Sequence, residues 1–321
     1  MTEGYEKHLT ELHAKQTVPA EVVDDILGVF SSAPVVAKQR IIAGEINEVY
    51  DVAFADAVHV IVRISHDEDQ TFEHAQWAIR ECALRGVPVP EVLGVWDRST
   101  SNQLLHICIQ RKLEGVLLAK ANLPHNVLRQ IVAQAGGFLS RIHTIPTNGF
   151  GNIDGTGKGT FLTAQSEIDA FVRMESEFQA LAQRLDLSRR AMSRALQLVV
   201  DDGRVMQPID PCLTHNDFSA KHILVANGAV SGIIDFGQVA GSEPLSDLVR
   251  WDYYDAARFP FEWLQEGYTN KQVFDEQFTQ RLRVKRIGFS LWVMRWYDRG
   301  GYAEGVADAR TKFVQDLAHF E

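Results

Sequence analysis

Between Pro19 and Phe30 the segment PAEVVDDILGVF repeats its apolar positions at the three- and four-residue intervals of one helical face. The texture then changes. Residues 35–65, VVAKQRIIAGEINEVYDVAFADAVHVIVRIS, are β-rich stretches separated by turn-like positions around Gly44 and Ala55, which predicts about three antiparallel strands. Helical spacing returns from Thr71 to Arg85 and is stopped by Gly86 and the GVPVP stretch, because proline cannot continue a helix. EVLGVW and LLHICIQ read as two further strands.

After Glu114 and Gly115 helical periodicity dominates, over residues 124–145, 165–184, 187–201, 244–257, 271–299 and 302–320. The exception is Leu213 to Phe236, where HILVA and GIIDF flank an Asn227-Gly228 pair, a hairpin signal. The pattern predicts an α+β chain with a β-rich N-terminal lobe over residues 1–110, a connector within 108–116, and a mainly helical C-terminal lobe over 111–321. No internal repeat or low-complexity tract interrupts this order.

Length agrees with two lobes, since 321 residues exceed the roughly 250–300 at which a single core stops growing. Apolar residues make up 45% and charged residues 23%, as in an ordinary folded protein. Lysine and arginine number 32 against 42 acids, a formal charge of −10 that argues against a nucleic-acid binder and suits a cationic partner. The same charge also serves plain solubility. Cys82, Cys108 and Cys212 are widely spaced and read as buried thiols rather than a disulfide or zinc framework. MTEGYEKHLTELHAKQ lacks the apolar stretch of a signal peptide, and no apolar run is long enough to span a bilayer, so the expected location is cytoplasmic with no membrane association.

The candidate chemistry lies in LTHNDFSAKHILVANGAVSGIIDFGQVAG, residues 213–241. A polar loop, a hairpin and a second acidic turn bring Asp217, His222 and Asp235 to one end of the hairpin. Phosphoryl transfer needs such a pair of carboxylates, one to hold the attacking hydroxyl and take its proton, the other to hold a metal on the triphosphate. GNIDGTGKG, by contrast, fails as a phosphate-binding loop: five residues separate Gly151 from Gly157, and glycine follows Lys158. It reads as a flexible glycine-rich turn.

These residues resemble the aminoglycoside phosphotransferase and choline kinase family. His215, Asp217 and Asp235 match its His-x-Asp loop and I-D-F turn, and Pro244 and Asp247 match its later D-P-x-x-D-L segment. GEINEVY, VIVRIS, GVPVPEVLG and NGFGNIDG resemble further family stretches in family order. The resemblance implies a protein-kinase-like two-lobed fold, ATP or GTP with Mg²⁺, and transfer to a hydroxyl of a small molecule. An aminoglycoside leads, with a macrolide, another hydroxylated metabolite or a catalytically silent nucleotide-binding protein as alternatives. It implies that Gly44 and Asn47 cover the nucleotide, that Arg63 steadies the phosphates with Glu73 as its acidic partner, and that Ile109 lies at the connector. Asp217 would accept the hydroxyl proton, His215 would support its loop, and His222 and Asp235 would bind metal.

Two positions depart from the family. His222 stands where asparagine is usual, and an imidazole is a poorer ligand than an amide oxygen for Mg²⁺, although macrolide-modifying members also carry histidine there. Arg63 stands where protein kinases use lysine; a guanidinium still contacts phosphate oxygens. His143 reads as a packed helix-end residue. From Glu243 to Glu266 six acids face two arginines, and Asp252 and Asp255, at i,i+3 spacing, are candidate acceptor ligands or part of a solvated face. Trp251, Tyr254, Trp263 and Trp292 supply core or the aromatic walls of a pocket.

Overall fold

The computed structural model describes residues 3–15, 17–66, 71–100, 103–205 and 210–320. Helices α1 (Glu3–Lys15) and α2 (Ala20–Phe30) precede strands β1 (Val35–Ile41), β2 (Glu48–Phe54) and β3 (His59–Ser65). Helix α3 (Glu73–Leu84) leads to β4 (Val92–Ser99) and β5 (Leu104–Arg111). The five strands form one antiparallel sheet in the order β1-β2-β3-β5-β4. Every second residue of β2 is buried, the alternation of a sheet with one face on a core. Val23, Ile26 and Leu27 of α2 close that core with Val52, Val62 and Ile107.

The rest of the chain holds β6 (Val116–Leu117), α4 (His125–Ile142), β7 (Phe150–Ile153), β8 (Gly159–Phe161), α5 (Ala164–Arg173), α6 (Glu175–Arg184) and α7 (Arg189–Val205). There follow β9 (Cys212–Thr214), β10 (Ile223–Ala226), β11 (Ala229–Ile233), β12 (Ala240–Ser242), α8 (Leu245–Tyr254), α9 (Phe261–Gly267), α10 (Phe278–Gly300) and α11 (Ala303–Leu317). The expected hairpin is present. Asn227 and Gly228 both have positive φ, 53° and 75°, as a two-residue turn between right-twisted strands requires. The helix expected over 165–184 breaks at Met174, and the stretch expected as helix from 271 begins with a short 3₁₀ turn capped by Asn270 before α10 starts at Phe278.

Two features lay outside the periodicity. Helix α1 carries a weak apolar pattern, and GNIDGTGKG is a hairpin rather than a loose turn: Asp154 Oδ1 accepts from the amides of Thr156 and Lys158 and from the Thr156 hydroxyl. Strand β7 joins β8, β12 and β9 in a four-stranded sheet, and β9 leads directly into His215.

Packing does not follow chain order throughout. The buried face of α3 (Ala75, Ala78, Ile79, Cys82) belongs to the large C-terminal cluster with Leu139, Phe218, Phe236 and Trp251, not to the N-terminal sheet core. Cys82, Cys108 and Cys212 are all buried and unbonded to one another, as expected. Among the described residues no helix is long and apolar enough to cross a membrane.

Helices α4 and α9 approach through two glycines. A methyl on Gly136 would sit 2.0 Å from the Leu264 carbonyl oxygen, and one on Gly267 would sit 1.6 Å from that of Ala133. Gly136→Ala is therefore expected to lower stability by about 1–3 kcal/mol through overpacking, read as a lower urea midpoint with unchanged m-value. A midpoint equal to wild type would mean the helices separate freely.

Candidate active site

Strand β9 delivers the chain to His215 in the buried sheet, where Leu213 and Thr214 pair with Gly241 and Ala240 of β12. The next turn is forced by Asn216, in the left-handed region at φ 57°, a conformation asparagine tolerates better than most residues. Its two backbone amides are captured by one buried carboxylate: Asp247 accepts from His215 N at 2.8 Å and from Asn216 N at 2.7 Å. A third bond comes from His143 Nε2 at 3.0 Å, while His143 Nδ1 lies 2.7 Å from the Tyr268 hydroxyl. Burial alone would raise the Asp247 carboxyl; the His143 hydrogen bond and the neighbouring amides hold it below its ordinary value.

His215 is fully buried, and burial lowers its pKa, which favours the neutral ring. Its Nε2 meets the Ile234 carbonyl at 3.0 Å and its Nδ1 accepts the Asp217 amide at 3.3 Å, so the ring ties the loop of Asp217 to the strand leading to Asp235. Asp235 is itself left-handed, at φ 68°, a costly backbone held by its surroundings.

Three ligand atoms converge here. One atom each from Asp217, His222 and Asp235 lies within 4.8 Å of the others. His222 Nδ1 donates to the Asp217 carbonyl at 2.8 Å, and its Nε2 lies 3.3 Å from Asp235 Oδ2. Two carboxylates and an oriented imidazole fit a divalent cation. The nitrogen favours a softer ion such as Mn²⁺ more than an all-oxygen set would.

Arg63, from β3, reaches Asp235 Oδ1 at 2.6 Å. Burial would raise the Asp235 carboxyl, but the Arg63 guanidinium and His222 hold it well below the usual carboxylate range. The expected Arg63–Glu73 pair is not formed. Glu73 opens α3 with its Cβ against Gly155 of the β7–β8 turn, and the next residue, His74, points its Nε2 at the Gly237 carbonyl 3.1 Å away. The register of α3 thus gives the turn after Asp235 a histidine, while Arg63 takes Asp235 directly.

A model described as the phosphotransferase enzyme family matches residues 39–276. The chain belongs to this family. A hygromycin-B 4-O-kinase of Escherichia coli is 26% identical over 275 residues, covering 78% of this chain and 73% of that protein. Among solved structures, a thermostable mutant of aminoglycoside phosphotransferase APH(4)-Ia in ternary complex with ADP and hygromycin B superposes with a TM-score of 0.73 at 19% identity, covering 92% of this chain and 97% of that one. A putative fructosamine-3-kinase from Thermobifida fusca gives 0.64 at 17% identity, with 92% and 96% covered. The expected protein-kinase-like fold, with a sheet-based N-terminal region and a mainly helical C-terminal part, is the fold of this phosphotransferase.

The remaining expected residues fall around the cleft. Gly44 of the phosphotransferase has φ 89° and accepts His13 Nε2 at its carbonyl, 2.9 Å away; Asn47 nearby has a buried Oδ1 without a partner. Ile109 is a core residue inside β5, paired on both sides with β3 and β4, and the chain leaves the sheet only after Arg111. Asp252 is held by Arg286 at 2.6 Å, which also binds Asp316 at 2.9 Å. Asp255 Oδ2 caps the Ala220 amide at 2.9 Å. Two cations beside Asp217 were not among the expected site residues: Lys221 Nζ, 3.4 Å from Asp217 Oδ2, and Arg250 Nη1, 3.9 Å from Oδ1. The signal for Arg250 was its position three residues after Asp247, on the same side of α8.

Burial, against the Ala220 bond, raises Asp255 to about 6. An acid raised above its unfolded value destabilises the fold as it ionises, so its cost grows from about pH 4 and is complete above pH 6. Asp255→Asn keeps an oxygen for Ala220 and is expected to be more stable than wild type by about 1–3 kcal/mol at pH 7.5 and equal to it at pH 4. A stability difference independent of pH in urea titrations would refute this.

Proposed function

We propose that this phosphotransferase moves the γ-phosphate of ATP to a hydroxyl of an aminoglycoside. The observation that carries the reading is the convergence of Asp217, His222 and Asp235 within 4.8 Å, at the loop that Asp247 fixes. The Escherichia coli relative, a hygromycin-B 4-O-kinase, supports the acceptor class, and the ADP complex of the structural neighbour supports the adenine nucleotide. The formal charge of −10 agrees with a cationic acceptor.

In this reading Asp217 orients the acceptor hydroxyl and takes its proton as the bond to phosphorus forms. Lys221 and Arg250 flank that carboxylate and offset charge on the transferred group. Asp235 and His222 are the residues that would hold Mg²⁺, which when bound neutralises the triphosphate. Arg63 keeps Asp235 ionised and in position. Most of the rate arises from positioning and charge neutralisation, because a loose phosphoryl transition state asks little of a base.

Asp217→Asn is expected to lower kcat by at least about a hundredfold while ADP still binds, measured by coupled turnover and calorimetry. Near-wild-type turnover in the folded variant would remove Asp217 from the chemistry. A nucleotide-consumption screen with hygromycin B, gentamicin, a macrolide and choline tests the acceptor class, and turnover of the macrolide alone would overturn it. For the metal, Asp235→Ala should abolish Mg²⁺-dependent nucleotide binding, His222→Ala should weaken it less, and His222→Asn should improve Mg²⁺ affinity relative to Mn²⁺. Equal, severe losses in both alanine variants in a metal titration would contradict that order.

A further inference from the structure

The two acids expected to receive a cationic acceptor are occupied, Asp252 by Arg286 and Asp255 by the Ala220 amide. A third carboxylate, Glu45, lies outside the acidic run from Glu243 to Glu266. Glu45 sits on the turn before β2, yet its side chain leaves the N-terminal lobe. Its Oε1 accepts the Tyr5 hydroxyl of α1 at 2.9 Å, and its Oε2 accepts the indole N–H of Trp296 on α10. Among the described residues no lysine, arginine or histidine forms an ion pair with it. Its recorded partners are neutral donors.

Helix α10, which carries Trp296, also places Phe289 under the Arg250 guanidinium at 4.6 Å, and Arg250 Nη1 lies 3.9 Å from Asp217 Oδ1. The Tyr5 and Tyr297 hydroxyls are both raised, first by burial and then by the negative charge of Glu45, and the charge of Asp217 reaches each of them as well. Tyr254, 41% exposed, is also within the influence of Asp217. The Tyr302 ring lies tilted against Tyr5 at 5.6 Å and edge-on to Tyr297 at 5.1 Å. Half of the Trp296 surface remains open to solvent. Aromatic faces around a carboxylate that lacks a cation attract an ammonium group. A carboxylate repels a triphosphate, so as a ligand-binding group Glu45 suits a cationic acceptor rather than the nucleotide.

We propose that Glu45, framed by Tyr5 and Trp296, is a specificity-determining subsite that binds an ammonium group of the acceptor. The inference rests on the aminoglycoside reading above and assigns it residues from the N-terminal lobe and the first helix, outside the acidic run of the C-terminal lobe. An ammonium group entering here would accept no proton and break no bond; it would exchange water for the Glu45 carboxylate and the indole and phenol faces. The rival role for the same contacts is a clasp that joins the lobes without touching substrate.

Calorimetry with the full chain separates these roles, using hygromycin B and gentamicin in one series and ADP in another. Glu45→Gln should weaken aminoglycoside binding about tenfold and flatten its salt dependence, with ADP affinity within twofold of wild type. Trp296→Phe, which keeps an aromatic face, should weaken the aminoglycoside less. A parallel loss of ADP and aminoglycoside affinity would identify a clasp and overturn the proposal, as would aminoglycoside binding by Glu45→Gln equal to wild type. If wild type binds neither aminoglycoside while binding ADP, the acceptor class itself falls and the subsite with it.

Discussion

Three hydrogen bonds to the buried carboxylate of Asp247 hold the loop from His215 to Asp217 in a shape that a free chain would not keep. Two come from consecutive backbone amides, His215 and Asn216, and one from His143. Removing the carboxylate would strand two amides and an imidazole in the interior, a penalty of about 1–3 kcal/mol for each unsatisfied group. The left-handed Asn216 is tolerable because those bonds over-determine it. Everything downstream depends on this anchor. His215 transmits it to the Ile234 carbonyl, and the next residue, Asp235, stands opposite His222.

The charge arrangement follows from that frame. Asp235 receives Arg63 from the N-terminal sheet, and Asp217 receives Lys221 and Arg250 from its own lobe. A buried ion pair such as Arg63–Asp235 gives little net stability, because desolvation offsets most of the attraction. Its effect here is geometric: it joins β3 of the N-terminal sheet to the turn of Asp235, beside His222.

The parts of the fold legible in the sequence were those set by local rules. β-rich runs broken by turn residues gave the strands of the N-terminal sheet, and Asn227-Gly228 gave the hairpin, since both signals lie within a few residues. The carboxylate pair was legible because Asp217 and Asp235 are near in sequence and bracket that hairpin. The missed features depend on distant partners. His143 reads as an ordinary helix-end residue until Asp247, 104 positions later, is folded against it. Glu73 reads as the natural partner of Arg63, but Arg63 takes Asp235, and it is His74, one residue on, that reaches the neighbouring Gly237 carbonyl. Strands β7, β8, β9 and β12 are three or four residues long, too short for periodicity to register, and become strands only by pairing with one another. Asp252 looked available until Arg286 was seen beside it.

The helix α3 is N-terminal by chain order and C-terminal by packing, and this has a consequence for how the molecule can be divided. A fragment ending at the connector would carry Ala75, Ala78, Ile79 and Cys82 as a bare apolar stripe, and the complementary fragment would carry the matching hollow lined by Leu139 and Phe236. Neither piece could bury those surfaces alone. A chain severed between Arg111 and Val116 should accordingly regain its structure by reassociation of the two halves, with α3 serving as the peg that joins them.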